Sequence, residues 1–130
     1  NIKINTLPLN HPDGAVGYRV EYKGKSVCYI TDHEHKVNIK NQDLIKFIEN
    51  SDLLIYDSTY KDSEFSNYVG WGHSTWQEGV RMSNYACVKK FIIFHHNPDN
   101  KDKDMKKIEE ESKLLGDNIV VAKEGMCVKI

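Results

Sequence analysis

Residues 53–57 are Leu53-Leu54-Ile55-Tyr56-Asp57, a short apolar run that ends in a carboxylate. An apolar run of this length between polar segments is typical of a buried β-strand. The preceding segment, 41–50, carries apolar residues at helical spacing. The following Ser74-Thr75-Trp76-Gln77 has the form of a capping box that opens a second helix, running to about Cys87. Helix and strand therefore alternate through the middle of the chain.

The remaining segments extend this α/β pattern in both directions. Further strands are predicted at 2–7, 91–94, 119–121 and 126–130, a hairpin at 16–31, and a charged helix at 102–115. Met105, Ile108 and Leu115 would face inward from that last helix. The predicted fold class is α/β (α+β), with one mixed sheet and its helices layered on one face.

Composition excludes several classes of protein. The 130 residues include 18 Lys+Arg and 19 Asp+Glu, a formal net charge of -1, so no broad field attracts nucleic acid or an anionic membrane. The apolar runs are far shorter than the roughly 20 residues of a membrane span, so no membrane partner is expected. The cysteines Cys28, Cys87 and Cys127 are scattered through apolar contexts, which indicates reduced core thiols in a cytoplasmic protein.

Metal-competent side chains stand where the predicted strands end. His11, Asp32, Asp57 and His95 each follow an apolar or alternating run. Loops after strand ends meet at a common rim in layered α/β folds, and this rim is where sites are built. Imidazole and carboxylate together favour zinc, manganese or iron over calcium. Each residue alone is also compatible with an ordinary hydrogen-bonded loop position, so the prediction depends on their number.

Five motifs follow one another along the chain. They are residues 9–18 around His11, residues 27–32 ending in Asp32, residues 53–60 around Asp57, Gly72-His73-Ser74-Thr75, and Phe94-His95-His96-Asn97-Pro98. In this order they resemble the motifs of metallo-β-lactamase-fold metallohydrolases, in the RNase Z and phosphodiesterase-like branch. Together they cover nearly the whole chain. One such match would be weak, whereas five in family order are specific.

The resemblance implies a site and a reaction. His11 would be a ligand of a first divalent metal ion, Asp32 the carboxylate bridging two ions, and His95 a ligand of the second ion. The ions would be Zn or Mn, with Fe possible, and would activate a hydroxide that cleaves a phosphodiester or nucleotide-like substrate. His73 would act as electrophile or general acid near the leaving oxygen, oriented by Asp57. The alternative interpretation of His73 is a residue that only precedes a helix cap, and that of Asp57 is a turn carboxylate at a strand end.

The other histidines are interpreted as supporting residues. His33 and His35 lie beside Asp32 and are expected behind the ligands or in solvent. His95 and His96 compete for one ligand position, and the alignment of Pro98 with the family motif favours His95.

Aromatic residues surround His73 in the sequence. Tyr68, Trp71 and Trp76 are compatible with two functions, stacking a base or packing beneath the loop, and the packing interpretation is favoured.

The family's His-x-His-x-Asp-His loop, which supplies four ligands, does not occur in this sequence. We therefore expect residues 1–130 to be the C-terminal half of a four-layer αββα domain, inactive alone. The inner sheet face would be covered by the missing N-terminal half or by a homo-oligomer.

The alternative function is a non-catalytic metal-binding or sensory module on the same fold. A phospho-acceptor receiver domain is disfavoured because its first acidic pair is missing. Lactonase or thioesterase chemistry also stays open.

Overall fold

The computed structural model describes residues 1–130 and contains one six-stranded sheet in the order β1-β2-β3-β4-β5-β6. The strands are β1 Lys3–Leu9, β2 Ala15–Tyr22, β3 Lys25–Ile30, β4 Leu53–Asp57, β5 Phe91–Phe94 and β6 Ile119–Val121. The first two pairings are antiparallel and the other three are parallel. The predicted single mixed sheet is therefore confirmed.

Three α-helices connect the parallel strands. They are α1 Gln42–Ile48, α2 Trp76–Tyr85 and α3 Asp102–Lys113, with a short 3-10 turn at Phe65–Asn67. The side chain of Asn41 caps α1 by accepting a hydrogen bond from the Leu44 N–H. Thr75, one residue later than the predicted Ser74, caps α2 by accepting from the Glu78 N–H. No helix is long and apolar enough to span a bilayer.

The helices cover one face of the sheet. From β3 to β6, each strand lies on the same side of the strand before it in the sheet. Right-handed crossover connections then put all three helices on the same face. The core between sheet and helices contains fully buried Ile30, Tyr56 and Phe91 from the strands, and Leu44 and Met82 from the helices. Buried positions alternate along β3, whereas β4 and β5 are buried along most of their length, as their apolar runs predict.

The opposite face of the sheet carries exposed apolar side chains. Ile4, Val16, Tyr18 and Tyr29 are between 40% and 60% exposed. The strand register puts Tyr18 directly opposite Tyr29. No helix of this chain covers that face.

Three local predictions differ from the structure. Residues 126–130 form no strand, because β6 is an edge strand of only three residues and the chain leaves it at Ala122. Leu115 lies beyond the end of α3 and is 58% exposed, whereas Ile108 is buried as predicted. Cys28 is a core thiol, but Cys87 and Cys127 are exposed.

Asp52 anchors the entry to β4 at the end of the sheet remote from the predicted site. Its carboxylate accepts a hydrogen bond of 2.8 Å from the Ser26 N–H and lies 2.9 Å from the Lys89 ammonium. The hydrogen bonds from Lys89 and Ser26 lower the pKa of Asp52 from 3.8 to about 2. The carboxylate is therefore more acidic in the folded chain than in the unfolded chain.

Asp52→Asn is expected to lower the free energy of unfolding by about 1–2 kcal/mol at neutral pH, a modest value because the lysine partners are solvent-exposed. Because the folded-state pKa is depressed, this stabilisation is complete above the unfolded pKa and disappears as the pH falls through about 2. Urea unfolding of both proteins at neutral pH and near the folded-state pKa measures the difference. Asp117→Asn, an exposed carboxylate, is the control, and a pH-independent difference would contradict the prediction.

Candidate metal centre

Four strands end at the same edge of the sheet. β1, β3, β4 and β5 run in the same direction, because β1 and β3 are both antiparallel to β2. His11, Asp32, Asp57 and His95 follow or end these strands, so the topology brings all four to one rim. His73 reaches the same rim from the loop before α2.

The five residues form two overlapping groups. His11, Asp32 and His73 each offer a ligand atom, and these atoms lie within 4.8 Å of one another. Asp57, His73 and His95 form a second group by the same criterion. We refer to these five residues as the rim cluster. All five candidate site residues predicted from the sequence are therefore brought together.

Two members of the rim cluster have left-handed backbone conformations. Asp32 and His95 have φ of 60° each, directly after the apolar strands β3 and β5. This region is uncommon for residues other than glycine, and such conformations concentrate at functional sites. The turn stops each strand and directs the polar side chain towards the rim.

Asp57 is the buried centre of the rim cluster, with no exposed side-chain surface. Its carboxylate accepts hydrogen bonds from the N–H groups of His33 and Ser74 and from the Thr59 hydroxyl. Its Oδ2 lies 2.9 Å from His73 Nδ1. Burial opposes ionisation of Asp57, but the hydrogen bonds and neighbouring histidines outweigh it and hold the carboxyl pKa below its usual range.

His73 is oriented by Asp57. The hydrogen bond from Nδ1 to the Asp57 carboxylate raises the pKa of His73, against a smaller opposing effect of burial. Because Nδ1 is occupied, Nε2 is the nitrogen left for a substrate or a metal ion. A carboxylate that fixes the imidazole tautomer in this way suits either a proton donor or a metal ligand.

His95 is fixed by a similar contact. Its Nδ1 lies 3.1 Å from the Thr59 hydroxyl and 3.7 Å from Asp57 Oδ2, and its Nε2 lies 3.6 Å from Asp32 Oδ1. His96 points away and its Nε2 lies 3.1 Å from the Ala122 carbonyl oxygen. The predicted choice of His95 over His96 for the rim thus agrees with their positions.

His33 and His35 stand outside the rim cluster. His33 is buried, and its Nδ1 accepts a hydrogen bond from the Asn10 N–H. Burial lowers the pKa of His33 to about 4, so it is neutral near pH 7. His35 bonds the Ser74 hydroxyl at 2.6 Å and stacks on Phe65. Both lie behind the cluster and support the loops that carry it.

Two supporting residues, Thr59 and Glu34, were not predicted from the sequence. Thr59 links Asp57 and His95 through its hydroxyl, and its position two residues after Asp57 is the only signal for it. The Glu34 carboxylate accepts hydrogen bonds from the N–H groups of Gly70 and Gly72. No local pattern reveals these bonds, because they join residues 36 and 38 positions apart.

The aromatic residues around His73 divide between the two interpretations. Trp76 is buried in the core, as predicted. Tyr68 is half-buried and stacks on Tyr60 with the ring centroids 4.0 Å apart. Trp71 is 63% exposed, so the packing interpretation is wrong for this residue.

Asp57→Asn is expected to lower the free energy of unfolding by about 1–3 kcal/mol, because an amide nitrogen would face buried N–H donors that the carboxylate now satisfies. Chemical denaturation of the chain measures this loss. Asp13→Asn is the matched control, since Asp13 is exposed in the loop after His11. Equal stability of the two variants would show that the Asp57 network contributes nothing to folding.

Comparisons with known proteins identify the family of this chain. Residues 1–96 match the family model described as the Beta-lactamase superfamily domain. Ribonuclease Z of Archaeoglobus fulgidus is 27% identical over 119 residues, which are 92% of this chain and 36% of that protein. Ribonuclease BN of Proteus mirabilis is 24% identical over 98% of this chain and 41% of its own length. The chain thus spans well under half of the length of these relatives.

Solved structures show the same fold. The metallo-beta-lactamase fold protein YhfI from Bacillus subtilis superposes with a TM-score of 0.77 at 23% identity, over 96% of this chain and 48% of that one. Human tRNase Z, short form, superposes with a TM-score of 0.71 at 19% identity, over 98% of this chain and 42% of that one. The chain therefore belongs to the β-lactamase superfamily domain family and has the metallo-β-lactamase fold that its motifs predict.

Proposed function

We propose that this chain forms one side of the active site of a metal-dependent phosphodiester hydrolase. The observation that carries the proposal is the rim cluster, in which three imidazoles and two carboxylates converge at the carboxyl edge of the sheet. The relatives named ribonuclease Z and ribonuclease BN support a phosphodiester substrate, either RNA or a nucleotide-like molecule.

The donor set fits divalent transition metals. Imidazole nitrogens with carboxylate oxygens suit Zn or Mn, and Fe remains compatible with them. In the proposal His11 and Asp32 would hold one ion, and Asp32 and His95 would hold a second. Ions bound there would supply Lewis-acid activation of water and charge neutralisation at the phosphoryl group.

The protein's own residues would perform the other steps. His73 Nε2 faces the rim because Nδ1 is bound to Asp57. From that nitrogen His73 donates a proton to the leaving oxygen, while Asp57 holds the ring orientation and stabilises the imidazolium. Thr59 keeps His95 directed at Asp32.

The proposal requires ligands beyond this chain. Each ion would have two ligands here, where a stable zinc site uses three or four. We infer that a His-x-His-x-Asp-His segment completes the site from an N-terminal half-domain, whose sheet packs on the exposed face that carries Tyr18 and Tyr29.

Without that half-domain, two copies of the chain would pair these exposed faces in a homo-oligomer. The chain would bind zinc weakly and would not turn over substrate. Sedimentation and zinc titration of the chain measure these properties, and a monomer with submicromolar zinc affinity would refute the half-domain.

The function is tested on the full-length gene product. Purified protein loaded with Zn or Mn is expected to hydrolyse bis-p-nitrophenyl phosphate, to lose activity in a chelator and to regain it with added metal. A lactone and a thioester serve as comparison substrates. Metal binding without diester turnover would show a non-catalytic module, and preferential turnover of the lactone or thioester would assign the rim cluster to another hydrolysis.

A further inference from the structure

Trp71 is the most exposed aromatic side chain of the molecule, at 63% of its surface. A large apolar ring gains free energy when it is buried, so an exposed tryptophan with a fixed position suggests a contact that the isolated chain lacks. The neighbouring Tyr68 ring meets Trp71 edge to face, with an interplanar angle of 88°, and leaves most of the indole uncovered.

The loop that carries Trp71 is held rigidly. A single oxygen of Glu34 accepts hydrogen bonds of 2.8 Å from the Gly70 N–H and 2.9 Å from the Gly72 N–H. These amides lie immediately before and after Trp71, and both glycines have positive φ. Glu34 in turn is fixed through its backbone to Asn10, next to His11. The backbone that carries the indole is therefore preorganised, which lowers the entropic cost of binding a ligand.

The same loop is part of the rim. Gly72 packs against the ring of His11 so closely that a Cβ at this position would overlap with it. Two residues span at most about 7 Å, so the backbone of Trp71 lies within that distance of His73. A series of ring contacts also runs from Trp71 through Tyr68 and Tyr60 to His73. A ring stacked on Trp71 would thus be within reach of a phosphate at the rim cluster.

We propose that Trp71 is the stacking surface for the nucleobase of the substrate nucleotide whose phosphate lies at the rim cluster. This inference rests on the proposed phosphodiester hydrolysis and adds the residue that selects substrates with a planar base. Stacking on an indole tolerates every base, because each base has a π face. Trp71 therefore favours nucleotides over other phosphodiesters without selecting one sequence.

The two tryptophans of the chain make this proposal directly measurable. Trp76 is buried, so Trp76→Phe leaves Trp71 as the only tryptophan fluorophore. Adenosine 5′-monophosphate is expected to quench this fluorescence saturably, whereas ribose 5-phosphate, which lacks the base, leaves it unchanged. In calorimetry on the otherwise unchanged chain, Trp71→Ala is expected to weaken nucleotide binding about 5- to 150-fold.

Two further variants separate stacking from other effects. Tyr22→Ala removes an exposed aromatic ring at the far end of β2 and is expected to leave nucleotide affinity unchanged. Glu34→Ala frees the loop and is expected to weaken nucleotide binding while Trp71 stays exposed.

Three results would overturn the proposal: non-saturable quenching, an unchanged nucleotide affinity of Trp71→Ala, or equal binding of ribose 5-phosphate. A fluorescence change that follows protein concentration would instead assign Trp71 to a contact between copies. Because no step requires turnover, the result is independent of whether the full-length protein hydrolyses diesters.

Discussion

Asp32→Asn is expected to lower metal-dependent diester hydrolysis by the full-length protein more than about 100-fold, beyond the loss typical of a group that only supports a ligand. In the proposed site Asp32 would hold both ions, so its replacement by a neutral amide would weaken both positions at once. Asparagine also adopts the left-handed backbone conformation that Asp32 has, so the substitution leaves the loop intact. Metal content and initial rates of the purified variant measure the effect.

Asp13→Asn is the matched control for this experiment. Asp13 is an exposed carboxylate in the neighbouring loop, and its loss changes the local charge by the same amount. Metal content and activity of this variant are expected to equal those of the unsubstituted protein. If Asp32→Asn retained its metal ions and Asp13→Asn did not, the bridging carboxylate would have been assigned to the wrong residue.

The strands and the rim were predictable because both follow from local pattern. Period-2 alternation and short apolar runs predicted β1 through β6, and the polar residues at strand ends predicted four members of the rim cluster. The fifth, His73, was predicted only by the resemblance of Gly72-His73-Ser74-Thr75 to a family motif. The prediction of a strand at 126–130 was wrong, because strand pairing needs a neighbouring edge that alternation in the sequence does not reveal. Leu115 was misplaced for a related reason, since α3 ends at Lys113 before the helical spacing reaches it.

The contacts that organise the site were not predictable from the sequence. The hydrogen bonds that Glu34 accepts from Gly70 and Gly72, and the one between Thr59 and His95, join residues more than 30 positions apart. The Glu34 contacts also fix the backbone on both sides of the exposed Trp71. A sequence pattern identifies the polar residues at a site, whereas tertiary contacts decide which of them are held rigid.

His73→Ala is expected to lower turnover of a dinucleotide about 10²- to 10⁴-fold in the full-length protein without loss of metal. The expected cause is the loss of a proton donor, since His73 is held by Asp57 with Nε2 left for the leaving oxygen. Because the two residues act as a unit, adding Asp57→Asn is expected to lower the remaining activity little. Rates and metal content of the single and double variants measure this.

His73 belongs to both groups of ligand atoms in the rim cluster, so its position also suits a metal ligand. Substrates with different leaving groups distinguish a proton donor from a metal ligand at this position. A ribose oxygen leaves as a strong base and needs a proton, whereas p-nitrophenolate is stable as an anion and needs none. His73→Ala is therefore expected to impair a dinucleotide far more than bis-p-nitrophenyl phosphate. Equal losses on both substrates, accompanied by loss of bound metal, would assign His73 to the metal site. Its bond to Asp57 would then orient a ligand, as carboxylates commonly do for metal-bound histidines.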